Sequence, residues 1–545
     1  MTIINRVFKV NGKPFFPNGT ECLHASGYSV HDKSEAEAIY KALSLNHGNT
    51  MAVPAYWDQI EPNEGQFDFS SVDDIIANAR KYNLRVILLW FGTWKNASME
   101  FTPSWIKTNP QRFKRVLDCN GNDLWTLTPH CKANLEADKV AFTALCKYLK
   151  IKDSIEQTVI AVQVENEPGI IFSDRDYSDE GQTAFNSPIS AQFIAAMKKW
   201  GKGALYNMWQ QAGSKESGTW HEVFGWAAEA GHFMYMWHIA RYIDAVAEAG
   251  KAVYEIPMFT NLWMEPRWWS PHHVHQFFIA DLVEREICMD LYRWATPHLE
   301  LISPDIYTRN SRQYEALCKI HTRDDNPLFM IETDGDQNMF RAISQFSTIG
   351  CIFTGIDRMV DENGVFFPDD QWVGDNMKCV ASVIPLLLKY QGTGKIHAII
   401  EEYGADSQWM DGLDGYVSGV RFGSGIPPYV PTDHRHNKKV GRHTFDPYNC
   451  ARGLVIQTSK HEFYLAGAGW RIFFRRKFAP DKTRTSLNLK EFQLEEKYAH
   501  YVSVDEGFFN DNGEFVTTVR RNGAQVNHGV WVTADVGVVR VIMSE

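Results

Sequence analysis

Apolar runs of four to eight residues, rich in Val, Ile, Leu and Phe, alternate along most of the chain with stretches whose apolar residues recur every three to four positions. Runs of the first kind read as strands buried on both faces, and stretches of the second kind as amphipathic helices. The strand-like runs fall at residues 16–24, 50–56, 85–91, 159–165, 256–262, 301–307, 328–331 and 351–354. Helical stretches lie between them at 33–45, 72–82, 136–150, 227–250, 280–295, 314–321 and 339–346, with 376–389 after the last strand. Eight such βα units predict an α/β fold, a closed (β/α)8 TIM barrel with a parallel sheet. Two excursions break the regularity, over 93–135 and 170–226. Both leave the C-terminal ends of strands, where the loops of a barrel carry function.

After about residue 391 the pattern changes to short alternating segments, such as FYLAGAGWRIFF (463–474) and GVWVTADVGVVRVIM (529–543), separated by Gly, Asn and Asp. Period-two patterning between turn residues predicts an all-β, sandwich-like domain. The expected division is a barrel over 1–392 and a C-terminal β-domain over 393–545, with 422–449 as a loop within the latter.

Charge and cysteine usage narrow the function classes. The net charge is −11 and the 55 Lys and Arg residues are scattered, so no basic stripe offers itself to a phosphate backbone and no nucleic-acid partner is expected. Nine cysteines, odd in number and without a CxxC pair, suit a reducing compartment. No uninterrupted apolar stretch is long enough for a membrane span, and the N-terminal residues lack a leader pattern, so a cytoplasmic protein without a membrane partner is expected. Homo-oligomer formation is left open.

The candidate chemistry sits at strand ends. The fourth run, VIAVQVENEPG (159–169), stops at Glu165, Asn166, Glu167 and Pro168. The seventh, within PLFMIETDGD, stops at Glu332. Two carboxylates facing each other across a barrel mouth at ~5–5.5 Å are the acid/base and nucleophile of a retaining glycosidase. Solvated acids at a turn, or a Ca²⁺ or Mg²⁺ site using Asp334 and Asp336, are the alternatives, but the latter lacks further spaced oxygen ligands. Neither metal nor cofactor is expected. Aromatic residues cluster at the same strand ends: Tyr56, Trp57, Trp90, Trp94, Trp263, Trp268, Trp269 and Tyr307. Sugars stack on flat rings and need amide partners, for which Asn96, Asn166 and Asn261 are candidates. Histidines crowd 271–276 and 433–436, and these read as loop residues rather than metal ligands. GxSxG and phosphate-loop patterns are absent.

These strand ends also carry a resemblance. AVPAYWDQIEPNEGQFDF (52–69) and VQVENEPG resemble motifs of the clan of (β/α)8 glycosidases that contains β-galactosidase families 35 and 42. LLWFGTWKNAS (88–98), SGTWHEVFG (217–225), SPDIY (303–307) and the C-terminal β-domain extend the likeness to a family-35-like bacterial subgroup. The resemblance implies that Asn166 holds the sugar 2-hydroxyl, Glu167 donates the proton and Glu332 is the nucleophile. The third strand departs from the usual galactose-reading segment, and Glu21 in GTECLHAS is the candidate to read sugar hydroxyls instead. The expected function is therefore a retaining, exo-acting β-glycosidase on carbohydrate, foremost a β-galactosidase. Another glycon, whether glucose, xylose or a uronic acid, and a non-catalytic carbohydrate-binding barrel are the alternatives.

Overall fold

The computed structural model describes residues 1–4, 6–22, 33–170, 173–225, 227–263, 282–423, 450–477, 499–527, 529–534 and 536–544. Eight strands form one parallel sheet: β1 Asn18–Glu21, β2 Thr50–Tyr56, β3 Arg85–Lys95, β4 Val159–Asn166, β5 Met258–Trp263, β6 Leu301–Ile306, β7 Glu332–Thr333 and β8 Cys351–Thr354. They follow the order β7-β6-β5-β4-β3-β2-β1-β8. The two edges meet, because Ile352 N–H donates to Met330 O and Ile349 N–H to Leu328 O, each at 2.8 Å. The sheet is thus a closed (β/α)8 barrel, as the alternating pattern predicted. Helices α1 Lys33–Leu45, α2 Ser70–Lys81, α3 Lys132–Asp153, α4 Ala227–Val253, α5 Leu282–Ala295 and α6 Ser311–His321 follow β1 to β6 in turn.

All residues of β2 and β4 are buried, which is why their sequences are apolar without alternation. One face of each strand fills the barrel with Ala52, Ile87, Leu89, Phe91, Phe259, Leu301 and Ile331. The other faces the helices. β1 is the exception in composition, NGTE, and its Gly19 marks a close approach: a Cβ there would lie 1.7 Å from the Thr50 carbonyl oxygen. Ahead of it the chain forms an antiparallel three-stranded sheet from Thr2–Ile4, Val7–Val10 and Lys13–Phe15. Phe8 and Val10 from this sheet enter the barrel core, the Phe8 ring standing edge-on to Phe329 at 5.3 Å. The seventh run also divides its labour, with 328–330 bonding toward β8 and only Glu332 and Thr333 pairing with β6.

The two excursions are folded. The first holds a hairpin of Arg115–Leu117 and Asp123–Leu127, the second the short helices Asp179–Phe185, Ala191–Trp200, Ala204–Gln211 and Trp220–Phe224. Asp176 of the second ties them together, accepting from Thr128 Oγ1 at 2.6 Å and from Leu117 N–H at 3.1 Å in the first.

By Cα proximity the chain divides into two compact units: residues 1–44, 49–334 and 349–365 in one, and 45–48, 335–348 and 366–545 in the other. The expected boundary at 392/393 lies within the second unit, which also contains α7 Asn338–Gln345 and α8 Gln371–Tyr390. Its β part is a separate all-β domain of two antiparallel sheets. Six strands run in the order Ile396–Ile400, Arg452–Ser459, Glu462–Ala468, Val538–Met543, Tyr501–Phe509, Phe515–Arg520, and four in the order Ser407–Met410, Tyr416–Phe422, Trp470–Arg476, Val530–Val532. Leu465 and Val539 of the first sheet share one core with Val420, Trp470 and Ile472 of the second, the arrangement of a sandwich. No helix among the described residues is long and apolar enough to cross a membrane.

Candidate active site

β3 and β4 leave the barrel through unusual backbone. Glu165 and Glu167 have φ of 62° and 44°, and Asn96 and Ala97 have 52° and 58°. Left-handed conformations of non-glycine residues cost about 1–3 kcal/mol each and persist only where the surroundings hold them. Here the two strand ends hold each other: Asn96 N–H donates to Asn166 O at 3.2 Å and Ala97 N–H to Glu167 O at 3.0 Å. The turns break the strand's alternation of sides. Glu165 is directed to the helix layer, where Trp94 N–H donates to its Oε2 at 2.6 Å. Glu167 is directed to the mouth, where Asn96 Nδ2 donates to its Oε2.

Asn261, on β5, is the hub of the mouth. Its Oδ1 accepts from Glu167 N–H at 2.9 Å, and its Nδ2 donates to Asp305 Oδ2 at 2.6 Å and to Glu332 Oε2 at 3.4 Å. The other oxygen of Glu332 accepts from the Tyr307 hydroxyl, which also lies 3.2 Å from Thr354 Oγ1. Carboxylate oxygens of Glu167, Asp305 and Glu332 all lie within 4.8 Å of one another. This is the one grouping among the described residues whose spacing would also admit a cation. Asn166 is buried beside them, and neither amide atom is hydrogen-bonded among the described residues.

The mouth is rich in acid. Burial first, and then Glu332, drive the Glu21 carboxyl well above the usual carboxylate range, against the pull of Lys95. Burial and then Glu332, Glu167 and Glu21 do the same to Asp305. The Tyr307 hydroxyl is pushed up by burial and by those same acids. Behind the mouth sits a second acid pair: Asp138 of α3 accepts from Trp90 Nε1 at 2.9 Å and Thr93 Oγ1 at 2.7 Å. Burial raises both Asp138 and Glu165, and the neighbouring Asp138 raises Glu165 further.

The structure brings Glu21, Asn96, Asn166, Glu167, Asn261, Tyr307 and Glu332 together, and Tyr56 joins them on the barrel's inner face, stacked on Phe101 at 5.0 Å. Trp57, Trp90 and Trp94 are a correction. All three are fully buried toward the helices: Trp57 packs on Trp90 at 6.1 Å, Trp90 on Phe142 of α3 at 5.7 Å, and Trp94 on Tyr242 of α4 at 4.8 Å. Rings on that face of the sheet cannot offer a platform to a sugar in the mouth. Trp209 and Trp220 of the second excursion are likewise buried within it. The Trp263 side chain, Trp268, Trp269 and both histidine-rich stretches lie outside the described residues. Sequence reasoning missed Asp305 and Lys95. A lone acid inside the apolar run LISPDI was the available signal for the first.

A family model described as beta-galactosidase, glycoside hydrolase 42, matches residues 31–321, and a domain of unknown function, DUF5597, matches residues 373–533. Similar solved structures include the catalytic domain of a β-amylase from Paenibacillus polymyxa, with 12% identity and a TM-score of 0.46, covering 66% of this chain and 96% of that one. A cold-adapted β-galactosidase from Rahnella sp. R3 has 13% identity and a TM-score of 0.45, covering 73% and 59%. An exo-β-1,4-mannosidase from an Opitutaceae bacterium has 11% identity and a TM-score of 0.41, covering 70% and 62%. The chain thus spans about three fifths of the length of the latter two. The family-35-like assignment is corrected by the matching model, the strand-end motifs being shared across the clan and unable to separate its families. The chain belongs to glycoside hydrolase family 42, the β-galactosidase family.

Proposed function

We propose that the protein is a retaining β-glycosidase that releases terminal β-linked galactose from oligosaccharides or glycoconjugates. The observation that carries this reading is the pair Glu167 and Glu332, whose carboxylate oxygens come within 4.8 Å across the barrel mouth while each is held by its own donors. Inverting enzymes need ~6.5–9.5 Å to fit a water between their carboxyls, whereas a retaining pair stands at ~5–5.5 Å.

The hydrogen bonds assign atoms to roles. Tyr307 occupies Glu332 Oε1, so Oε2, met among the described residues by the long bond from Asn261, is the oxygen that attacks the anomeric carbon. The carbonyl oxygen of a carboxylic acid is its better acceptor, so the bond from Asn96 Nδ2 to Glu167 Oε2 favours Oε1 as the oxygen that carries the transferable proton. That proton passes to the leaving oxygen as the glycosyl–Glu332 ester forms; Glu167 then takes a proton from water as the ester is hydrolysed. The open amide of Asn166 meets a sugar hydroxyl, and Glu21 reads another. Acids dominate the mouth, with Lys95 against Glu21, Glu167, Glu332 and Asp357, so a uronic acid glycon is disfavoured against a neutral sugar. The two excursions, which follow β3 and β4 and are clasped to each other through Asp176, support a closed-off site that takes chain ends, and hence exo action. Scattered, odd-numbered cysteines fit a cytoplasmic setting.

A panel of chromogenic β-glycosides tests glycon choice, with the β-galactoside expected to have the highest kcat/KM; a uronide as best substrate would overturn it. Monosaccharide as first product from a defined oligosaccharide supports exo action, whereas early mid-chain fragments refute it.

A further inference from the structure

The mechanism uses two of the carboxyl groups at the mouth and leaves a third without a role. Asp305 is fully buried at the end of β6. Its Oδ2 accepts from Asn261 Nδ2 at 2.6 Å, its Oδ1 is buried and receives no N–H or hydroxyl donor among the described residues, and its carboxyl pairs with that of Glu167. Its carboxylate lies within 4.8 Å of both Glu167 and Glu332. Among the described residues, the titratable and charged groups acting on this space include Glu21 of β1, Lys95 of β3, Glu167 after β4, Tyr307 after β6, Glu332 of β7 and Asp357 after β8. Lys95 is the one cation named among these described groups. Several ionised carboxylates at this spacing, away from water and against one ammonium, repel strongly, so protons must be retained.

The nucleophile has to be ionised to attack, so the retained proton beyond that of the donor falls on another group. Resting on the assignment of Glu167 and Glu332 above, we propose that Asp305 is a positioning residue that works as a neutral acid. Its Oδ2 anchors the Asn261 amide, which in turn holds the Glu167 backbone N–H and reaches Glu332. Its proton is assigned to Oδ1, since Oδ2, accepting the Asn261 N–H, serves as the carbonyl oxygen and the Glu167 carboxyl stands by to pair with the O–H. A neutral carboxyl there holds the hub without adding a negative charge beside the attacking oxygen. The upward drive on Asp305 from burial and from Glu332, Glu167 and Glu21 agrees with this state.

The test compares Asp305→Asn, which mimics the protonated form, with Asp305→Leu, which cannot bond Asn261. Both are checked for folding by thermal unfolding and assayed for kcat and KM across pH on an activated aryl β-galactoside. Asp305→Asn is expected to stay within about tenfold of the parent at the optimum, with its alkaline limb at the same or a higher pH. Asp305→Leu should lose about 10²-fold in kcat through misplacement of the hub. The proposal is overturned if Asp305→Asn loses about 10²-fold, or if its alkaline limb falls by about a unit, as removal of a nearby negative charge would cause. Infrared difference spectra at neutral pH, with carboxyl-labelled aspartate, read the state of Asp305 without turnover, and either variant suffices for the assignment. Loss of a protonated-carboxyl band supports a neutral Asp305, and loss of carboxylate bands refutes it. Absence of any glycoside turnover by the parent would refute the functional reading instead, leaving the infrared result to decide Asp305.

Discussion

Carboxyl groups inaccessible to solvent occur in two regions of this molecule and behave in opposite ways. In the six-stranded sheet, Asp505 stands directly opposite Arg520 on one neighbouring strand and Arg540 on the other. It accepts from Arg520 Nε at 2.7 Å, Arg540 Nη2 at 3.1 Å and Ser503 Oγ at 3.0 Å. Burial would raise its pKa, but these bonds outweigh it and hold the carboxyl below the usual range. At the barrel mouth, Glu21 and Asp305 are enclosed more deeply and their neighbours are other acids, so burial and like charge together raise their pKa values. An acid matched in register by arginine is a cross-strand strut. Acids from β1, β6, β7 and the end of β4, converging on Lys95 among the described residues, store electrostatic cost of the kind that clusters at functional sites.

Mutations should therefore separate activity from stability along this divide. The largest effect is expected from Glu332→Ala, which should lower turnover by about 10⁴-fold or more, with azide restoring part of it as a product of inverted configuration. Ordinary hydrolysis by that variant would move the nucleophile elsewhere. Glu167→Gln should cost roughly 10²–10⁴-fold on poor leaving groups and much less on activated aryl glycosides. Losses independent of leaving-group pKa would remove Glu167 as proton donor. Asn261→Ala should lower kcat by about 10²-fold through displacement of Glu167 and Glu332, with little change in the unfolding midpoint.

On the structural side, Asp505→Ala should cost the β-domain about 2 kcal/mol in denaturant unfolding while leaving kcat/KM unchanged. The pH dependences carry opposite signs. Asp505 has a lowered folded pKa, so its contribution is present above the unfolded carboxylate value and is lost as pH falls through the lower, folded value. Glu21 has a raised folded pKa, so the folded chain holds a proton the unfolded chain has released, and stability falls as pH rises above the usual carboxylate range. Glu21→Gln should flatten that second slope, and Asp505→Asn the first. Last and smallest, chelators should leave activity unchanged; recovery on adding Ca²⁺, Mg²⁺ or Zn²⁺ after a loss would make the mouth a cation site.

Legibility along the chain followed the kind of signal. Strand number and order were readable because parallel strands buried on both faces leave long apolar runs, and the helices between them repeat at 3.6 residues. That same uniformity hid which side of each strand faces inward. Trp57, Trp90 and Trp94 looked like sugar platforms because they stand at strand ends, but the register turns all three to the helices. The plug of Phe8 and Val10 was equally silent, since a short amphipathic sheet carries no mark of what it covers.

What the sequence by itself determined is the alternation of elements, the change to a β-domain, and the polar residues that interrupt apolar runs at Glu21, Glu165 to Glu167 and Glu332. Those follow from local pattern and composition, which need no partner to be expressed. Tertiary structure alone decided that Glu165 turns away while Glu167 turns in, through positive φ held by Asn96 and Ala97 on the neighbouring strand. It also decided that Asn261, Asp305 and Tyr307, from two further strands, share one space with Glu167 and Glu332. Closure of the barrel sets those distances, and closure is a property of all eight strands together.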